Sequence, residues 1–161
     1  MVHAILEDWK TQTRRIAKGE ICPYGQPGDR LWVRESFQPV LQNGFAPNET
    51  DYKTGQGIHI NYVATNGALE LHDEEEGFTT RVTPSIHMPR WASRLTLEIV
   101  NVRCEQLQDI SEADARAEGV ASIAAYIKLW NKLNAKRGLG WDVNPWVWVI
   151  EFKRVEGKEG A

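Results

Sequence analysis

Cysteine is nearly absent from this chain: Cys22 and Cys104 are the only two in 161 residues, far apart and without CxxC spacing. That excludes a disulfide framework and leaves no cysteine-based zinc motif. Histidine is as sparse. His3, His59, His72 and His87 are scattered, so the sequence offers no ligand cluster, and no metal and no cofactor are expected. Long apolar runs are missing too. No stretch approaches the ~20 residues a bilayer span needs, and no charged-then-apolar leader pattern opens the chain. The expectation is a cytoplasmic protein with no membrane partner and no obligate protein partner. Charge of one sign is also lacking: the net is −3 and the pI about 5.8, which excludes a generic nucleic-acid binder for the molecule as a whole.

What remains is an ordinary globular composition, 42% hydrophobic and 25% charged, long enough to bury a sizeable core. One domain over 1–155 and a polar tail over 156–161 are expected. Charge is unevenly distributed. Lys10, Arg14, Arg15, Lys18, Arg30 and Arg34 concentrate near the start, and Asp73 to Glu76 form an acidic run that reads as a solvated loop tip. Four tryptophans (Trp130, Trp141, Trp146, Trp148) crowd the C-terminal part; they read as core, with Trp146 and Trp148 the strongest candidates, and leave one or two aromatic rings for stacking on a planar ligand.

Periodicity sets the elements. Val2, Ile5, Leu6 and Trp9 predict a short amphipathic helix over 2–9, followed by a turn and extended chain to Arg15. If extended, Thr11 and Thr13 share one face, and Gln12 and Arg14 the other. Residues 18–30 read as a loop, 31–35 as a short strand, 38–57 as a long surface excursion, and 58–64 as a strand with Asn66-Gly67 as a hairpin turn into 68–71. Leu95, Leu97 and Ile99 alternate, then Val100, Val102 and Cys104 alternate in the opposite phase, which predicts a bulge in one long strand. Ser111-Glu-Ala-Asp114 is a helix-start pattern with Gly119 as the stop after Glu118. A second helix is predicted from about Ser122 to Arg137, with an apolar stripe through Ile123, Ile127, Trp130 and Asn134, flanked by Tyr126 and Leu133. Trp146 to Phe152, apolar on both faces until Glu151, predicts a strand in the middle of the sheet. Strands without regular helical crossovers fit an α+β fold: a small mixed barrel of about five to six strands with two or three helices packed on it.

Lys10-Thr-Gln-Thr-Arg-Arg15 puts an amine, two hydroxyls, an amide and two guanidinium groups at the junction of two elements. Each residue also has an ordinary reading. Lys10 suits the C-terminus of the first helix, Thr13 a strand, and Glu118 a solvated last turn.

Five blocks in order, Lys10–Arg15, Pro27-Gly-Asp-Arg-Leu-Trp-Val-Arg-Glu35, Met88-Pro-Arg-Trp-Ala-Ser-Arg94, Leu107-Gln-Asp-Ile-Ser111 and Gly140-Trp-Asp-Val-Asn-Pro-Trp-Val-Trp148, together resemble the ASCH domain family, in the branch common in phages and prophages. The resemblance runs over about residues 2–153 and implies a PUA-like barrel. The chain departs from the family in starting almost inside the first helix, where relatives carry a short apolar strand. A bacterial branch of the family removes the acyl group from N4-acetylcytidine and related nucleosides. Its Lys-Thr-x-Thr core is similar to Lys10-Thr11-Gln12-Thr13, which implies Lys10 and Thr13 as catalytic residues, and its glutamate falls on Glu118. The loop 38–57, the Trp-rich strand and the Met88–Arg94 block follow the phage-type branch instead.

Amide hydrolysis needs a nucleophile, a proton acceptor and stabilisation of the oxyanion. Thr13 fits the first. Lys10 is the base if burial against Trp9 and the charges of Arg14 and Arg15 lower its pKa; alternatively Glu118 is the base and Lys10 stays charged. For the substrate, Trp32 or Trp141 could stack on a nucleobase, Arg34 or Asn144 could read its polar edges, and Arg15 completes the substrate-binding candidates. Two other functions compete: an RNA-binding module using Arg14, Arg15, Arg90 and Arg94, and RNA cleavage.

Overall fold

The structure is a computed structural model and describes residues 2–41, 57–73, 77–79 and 81–155. The chain divides into two compact units, residues 3–31 with 95–155, and residues 32–94 with Val2.

The first unit begins with α1 (Val2–Leu6). This helix ends three residues earlier than its apolar spacing predicts. Asp8 adopts a left-handed conformation (φ 56°), and the amides of Trp9 and Lys10 both return to the Ala4 carbonyl at 2.8 Å. A left-handed residue after the last turn closes a helix, and Asp tolerates it better than most. Trp9 is consequently 70% exposed. β1 (Gln12–Ile16) is extended as predicted, with Gln12 and Arg14 buried and Thr13 and Arg15 on the alternate positions. Residues 17–29 contain no helix or strand, in keeping with their Pro and Gly content. β2 is shorter than predicted, Arg30–Trp32.

The predicted phase change in the long strand is present. β7 (Thr96–Gln106) runs without interruption, but its register against β8 (Trp146–Val155) shifts between Ile99 and Asn101. β8 is central: it pairs antiparallel with both β1 and β7 in a sheet of order β1-β8-β7-β2. The four strands form a curled antiparallel half-barrel. β8 is buried on both faces at its centre, where Val149 and Ile150 are 0% and 1% exposed. Val147 and Val149 are completely buried, whereas Trp146 is 57% exposed and Trp148 half-buried, so the expectation that both tryptophans are core fails for Trp146.

α3 (Glu112–Ala117) starts where the sequence predicts. Ser111 Oγ accepts the Asp114 amide and the Asp114 carboxylate accepts the Ser111 amide, a reciprocal cap. α4 (Ile123–Asn134) is capped by Ser122, continues as a 3₁₀ turn over Ala135–Arg137, and stops at left-handed Gly138. It buries Tyr126, Trp130 and Asn134, spaced by four, while Leu133 is 61% exposed. The unit's core joins these helices to the sheet through Leu107, Ile110, Ala115, Tyr126, Trp130, Val147 and Val149.

In the second unit, β3 (Phe37–Leu41) pairs antiparallel with β4 (Ile58–Tyr62), and β5 (Leu71–Asp73) with β6 (Gly77–Thr79). Most of the predicted 38–57 excursion, the acidic residues 74–76 and the 156–161 tail lie outside the described residues. The predicted hairpin at Asn66-Gly67 does not form. The chain instead makes one helical turn, α2 (Val63–Asn66), and Gln38 takes the place of a partner strand: its side-chain amide donates to the Leu69 carbonyl (2.9 Å) and accepts the Leu69 amide (2.7 Å). Phe37, Met88 and Ala92 form this unit's core with Trp32, Ile60 and Tyr62 against them. Buried Glu35 is held bidentately by Arg94 at 2.9 and 3.0 Å.

The described residues are thus mixed α+β with eight strands rather than five to six, because two separate strand pairs accompany the half-barrel. No helix among them is long and apolar enough to cross a membrane.

Candidate active site

The end of α3 is stitched to the start of β1. The Thr11 amide donates to the Ala117 carbonyl at 2.8 Å, and Lys10 and Glu118 face each other as an isolated antiparallel bridge. Gly119 makes this junction possible. Its φ is +84°, and a Cβ there would come within 3.2 Å of Ala4 Cβ and 3.3 Å of Lys10 Cβ. Only glycine takes both the conformation and the close approach without strain.

The bridge fixes two buried charges. Lys10 Nζ donates to Glu118 Oε2 (2.8 Å), to the Glu118 carbonyl (2.9 Å) and to the Gln12 carbonyl (2.9 Å). Both side chains are less than a tenth exposed. Burial lowers the Lys10 pKa; the charge and hydrogen bond of Glu118 oppose this, and Arg15 and Arg14 add to the lowering. Trp9 has no part in the burial expected of it, since it points outward. The other carboxylate oxygen, Glu118 Oε1, is buried and accepts no hydrogen bond; the nearest cation, Arg14 Nη1, is 3.5 Å away.

Arg14 faces away from Thr13, as strand alternation predicts, and is fully buried among acids. Its Nη2 donates to Glu105 Oε1 at 2.7 Å and lies 3.5 Å from Asp114 Oδ2. Arg103 extends the cluster by pairing with Glu105, Asp114 and Glu151. Burial pushes the Asp114 carboxyl up, but hydrogen bonds from Ser111 and Gln12 and the charge of Arg14 outweigh it and hold the value at about 2.

On the alternate face, Thr13 Oγ1 accepts a 2.6 Å hydrogen bond from Arg15 Nη1. Lys10, Thr13, Arg15 and Glu118 all line one cavity of about 420 Å³, within the range of small-molecule sites. The first unit's structure therefore brings together four of the predicted site residues. α4 supplies the opposite wall with Tyr126, Leu129, Trp130 and Leu133. Burial and the Glu118 charge push the Tyr126 hydroxyl pKa up, so it stays protonated.

No family model, curated protein or solved structure matches this chain.

The remaining substrate-binding candidates do not line the cavity. Trp32 and Arg34 belong to the other unit, where the Arg34 guanidinium lies 4.6 Å over the Trp32 ring and donates to the Ile86 carbonyl. Trp141 packs half-buried on the core, its amide donating to Asn131 Oδ1 at 2.7 Å. Asn144 caps a turn: it is left-handed (φ 48°) and its Oδ1 accepts the Gln108 amide at 2.8 Å. Local backbone needs thus occupy the groups expected to read a base. The basic face proposed for RNA is reduced as well, because Arg14 is buried and paired with Glu105, and Arg94 is engaged by buried Glu35. Both cysteines are free thiols, and among the described residues no group of three or more His, Cys, Asp or Glu could hold a metal ion.

Sequence reasoning missed the α4 wall. Tyr126, Trp130 and Asn134 carried a readable signal, a stripe at spacing four, but that stripe has the same form whether it meets a core or a cavity. Arg14 and its acids have no local signal at all, since Glu105 and Asp114 are some ninety and a hundred residues away in the chain.

Proposed function

We propose that this protein is an ASCH-like amidohydrolase that removes the acyl group from N4-acylated cytosine nucleosides, using Lys10, Thr13 and Glu118. The observation that carries the reading is the convergence of these three residues on one cavity, although they come from a strand start and a helix end more than a hundred residues apart.

The geometry favours one division of labour. An ammonium has three protons and no acceptor, and Lys10 Nζ meets three acceptors at 2.8–2.9 Å. A neutral amine would turn its lone pair toward one of those oxygens. Burial lowers the Lys10 pKa, but three acceptors around one nitrogen fit the charged form. Lys10 then holds the Glu118 carboxylate in place through Oε2, and that carboxylate is the base. Thr13 Oγ1 already accepts from Arg15, so its own proton is free to leave. In the first half-reaction Thr13 Oγ attacks the acyl carbon, its proton passes to Glu118, and the C–N bond breaks as Glu118 returns the proton to the N4 amine. In the second, water attacks the threonine ester, giving its proton to Glu118, which passes it to Thr13 as the carboxylic acid departs. Arg15 is the cation nearest the reacting oxygen and supports charge developing there.

The test is direct. Purified protein incubated with N4-acetylcytidine should give the ultraviolet change to cytidine, and Thr13→Ala and Glu118→Gln should each lower kcat by about 100-fold or more. Lys10→Ala should lower it as well. Turnover that survives Thr13→Ala sinks the nucleophile assignment, and absence of turnover in the wild type sinks the reading.

A further inference from the structure

The cavity's charge is the opposite of the molecule's. Five of its lining residues are Lys or Arg (Lys10, Arg14, Arg15, Lys18, Arg137) and only Glu118 is acidic, in a chain whose net charge is −3. Lys10 and Arg14 are neutralised by carboxylates, and Arg15 is committed to Thr13. Lys18 and Arg137 are different. Both are exposed, and among the described residues neither side chain forms an ion pair or hydrogen bond. They converge on the cavity from separate elements, the segment after β1 and the turn after α4. Solvated surface cations are ordinary, but these two sit on a pocket that also exposes apolar side chains: Tyr24, Leu129 and Leu133 are 40%, 39% and 61% exposed. An apolar wall beside unmatched positive charge matches a ligand with a planar ring at one end and an anion at the other.

We propose that the site takes a cytosine mononucleotide, with its phosphate against Lys18 and Arg137 and its base along the Tyr24–Leu129–Leu133 wall. The cytosine ring is taken from the function proposed above; the phosphate is the new element. The volume of about 420 Å³ suits one nucleotide rather than a strand. Two exposed cations lining the cavity discriminate a phosphorylated from an unphosphorylated ligand by roughly tenfold or more, in a salt-dependent manner.

Calorimetric titration of the intact chain with cytidine 5′-monophosphate, cytidine and a five-residue cytidine oligonucleotide tests this. The monophosphate should bind at least about tenfold tighter than cytidine, and the preference should shrink in 0.5 M salt. Lys18→Glu with Arg137→Glu should abolish it, while Lys18→Arg with Arg137→Lys should keep it. Equal affinity for monophosphate and cytidine, no binding of either, or tighter binding of the oligonucleotide overturns the proposal. Binding of these unacylated ligands needs no turnover, so the two ideas fail separately. A monophosphate preference without hydrolysis of N4-acetylcytidine sinks the amidohydrolase reading alone; hydrolysis without the preference sinks the phosphate site alone.

Discussion

At the residue scale the site depends on one buried ion pair. Lys10 and Glu118 are each about 7% exposed, and removing either partner strands the other's charge away from water. Lys10→Met should therefore cost about 3–5 kcal/mol in urea unfolding, the cost of breaking a buried pair. Lys10→Met with Glu118→Gln should recover much of that loss, because a neutral amide needs no counter-charge. If the double variant is as unstable as the sum of the singles, the two side chains are not a coupled pair. The pH dependence follows from the direction of the Lys10 shift. Its pKa is lowered in the fold, so the unfolded chain binds this proton more tightly. Its contribution to stability therefore rises with pH across the window from the lowered value up to the ordinary value of 10.5. That alkaline rise should be missing from the double variant.

At the element scale the junction α3–Gly119 sets where Glu118 points. Gly119→Ala asks a Cβ to fit at φ +84° against Ala4 and Lys10, and should cost about 1–3 kcal/mol. If the site is as proposed, kcat falls as well, since the displaced neighbour is Lys10 itself; unchanged kcat in the folded variant would show that the junction does not position the pair. Elements with local causes were legible in the sequence. The Ser111–Asp114 cap, the end of the second helix at about Arg137 and the bulge near Ile99 each follow from residues a few positions apart. The failures have distant or conformational causes. α1 stops early because Asp8 turns left-handed, and Asn66-Gly67 makes no hairpin because Gln38, nearly thirty residues upstream, satisfies the Leu69 backbone. The site divides in the same way. Gln12 and Arg14 could be assigned a common face from alternation, but Glu118 beside Lys10 was reachable only through a family resemblance, and the Arg14–Glu105–Asp114 cluster through neither.

At the scale of the whole molecule, every residue of the cavity lies in the unit made from the two ends of the chain, and the second unit interrupts that unit between β2 and β7. The interruption begins and ends where the backbone is already paired: Gly28 donates to the Ile99 carbonyl and Ile99 to the Asp29 carbonyl, both at 2.9 Å, and β2 lies beside β7 in the sheet. A short connection can therefore span the gap, and closing a shorter loop costs the unfolded chain less entropy. In the first unit the cluster from Leu107 through Trp130 to Val149 contains no described residue of 32–94, and in the second unit Phe37, Met88 and Ala92 form a cluster of their own. Replacing residues 32–94 by a turn of a few Gly and Asn residues should thus leave a chain that melts cooperatively, keeps its near-ultraviolet tryptophan signal, and retains the Lys10–Glu118 coupling measured by the same double-variant cycle. A chain that loses cooperative melting after this replacement would show that the first unit depends on the inserted one for its fold.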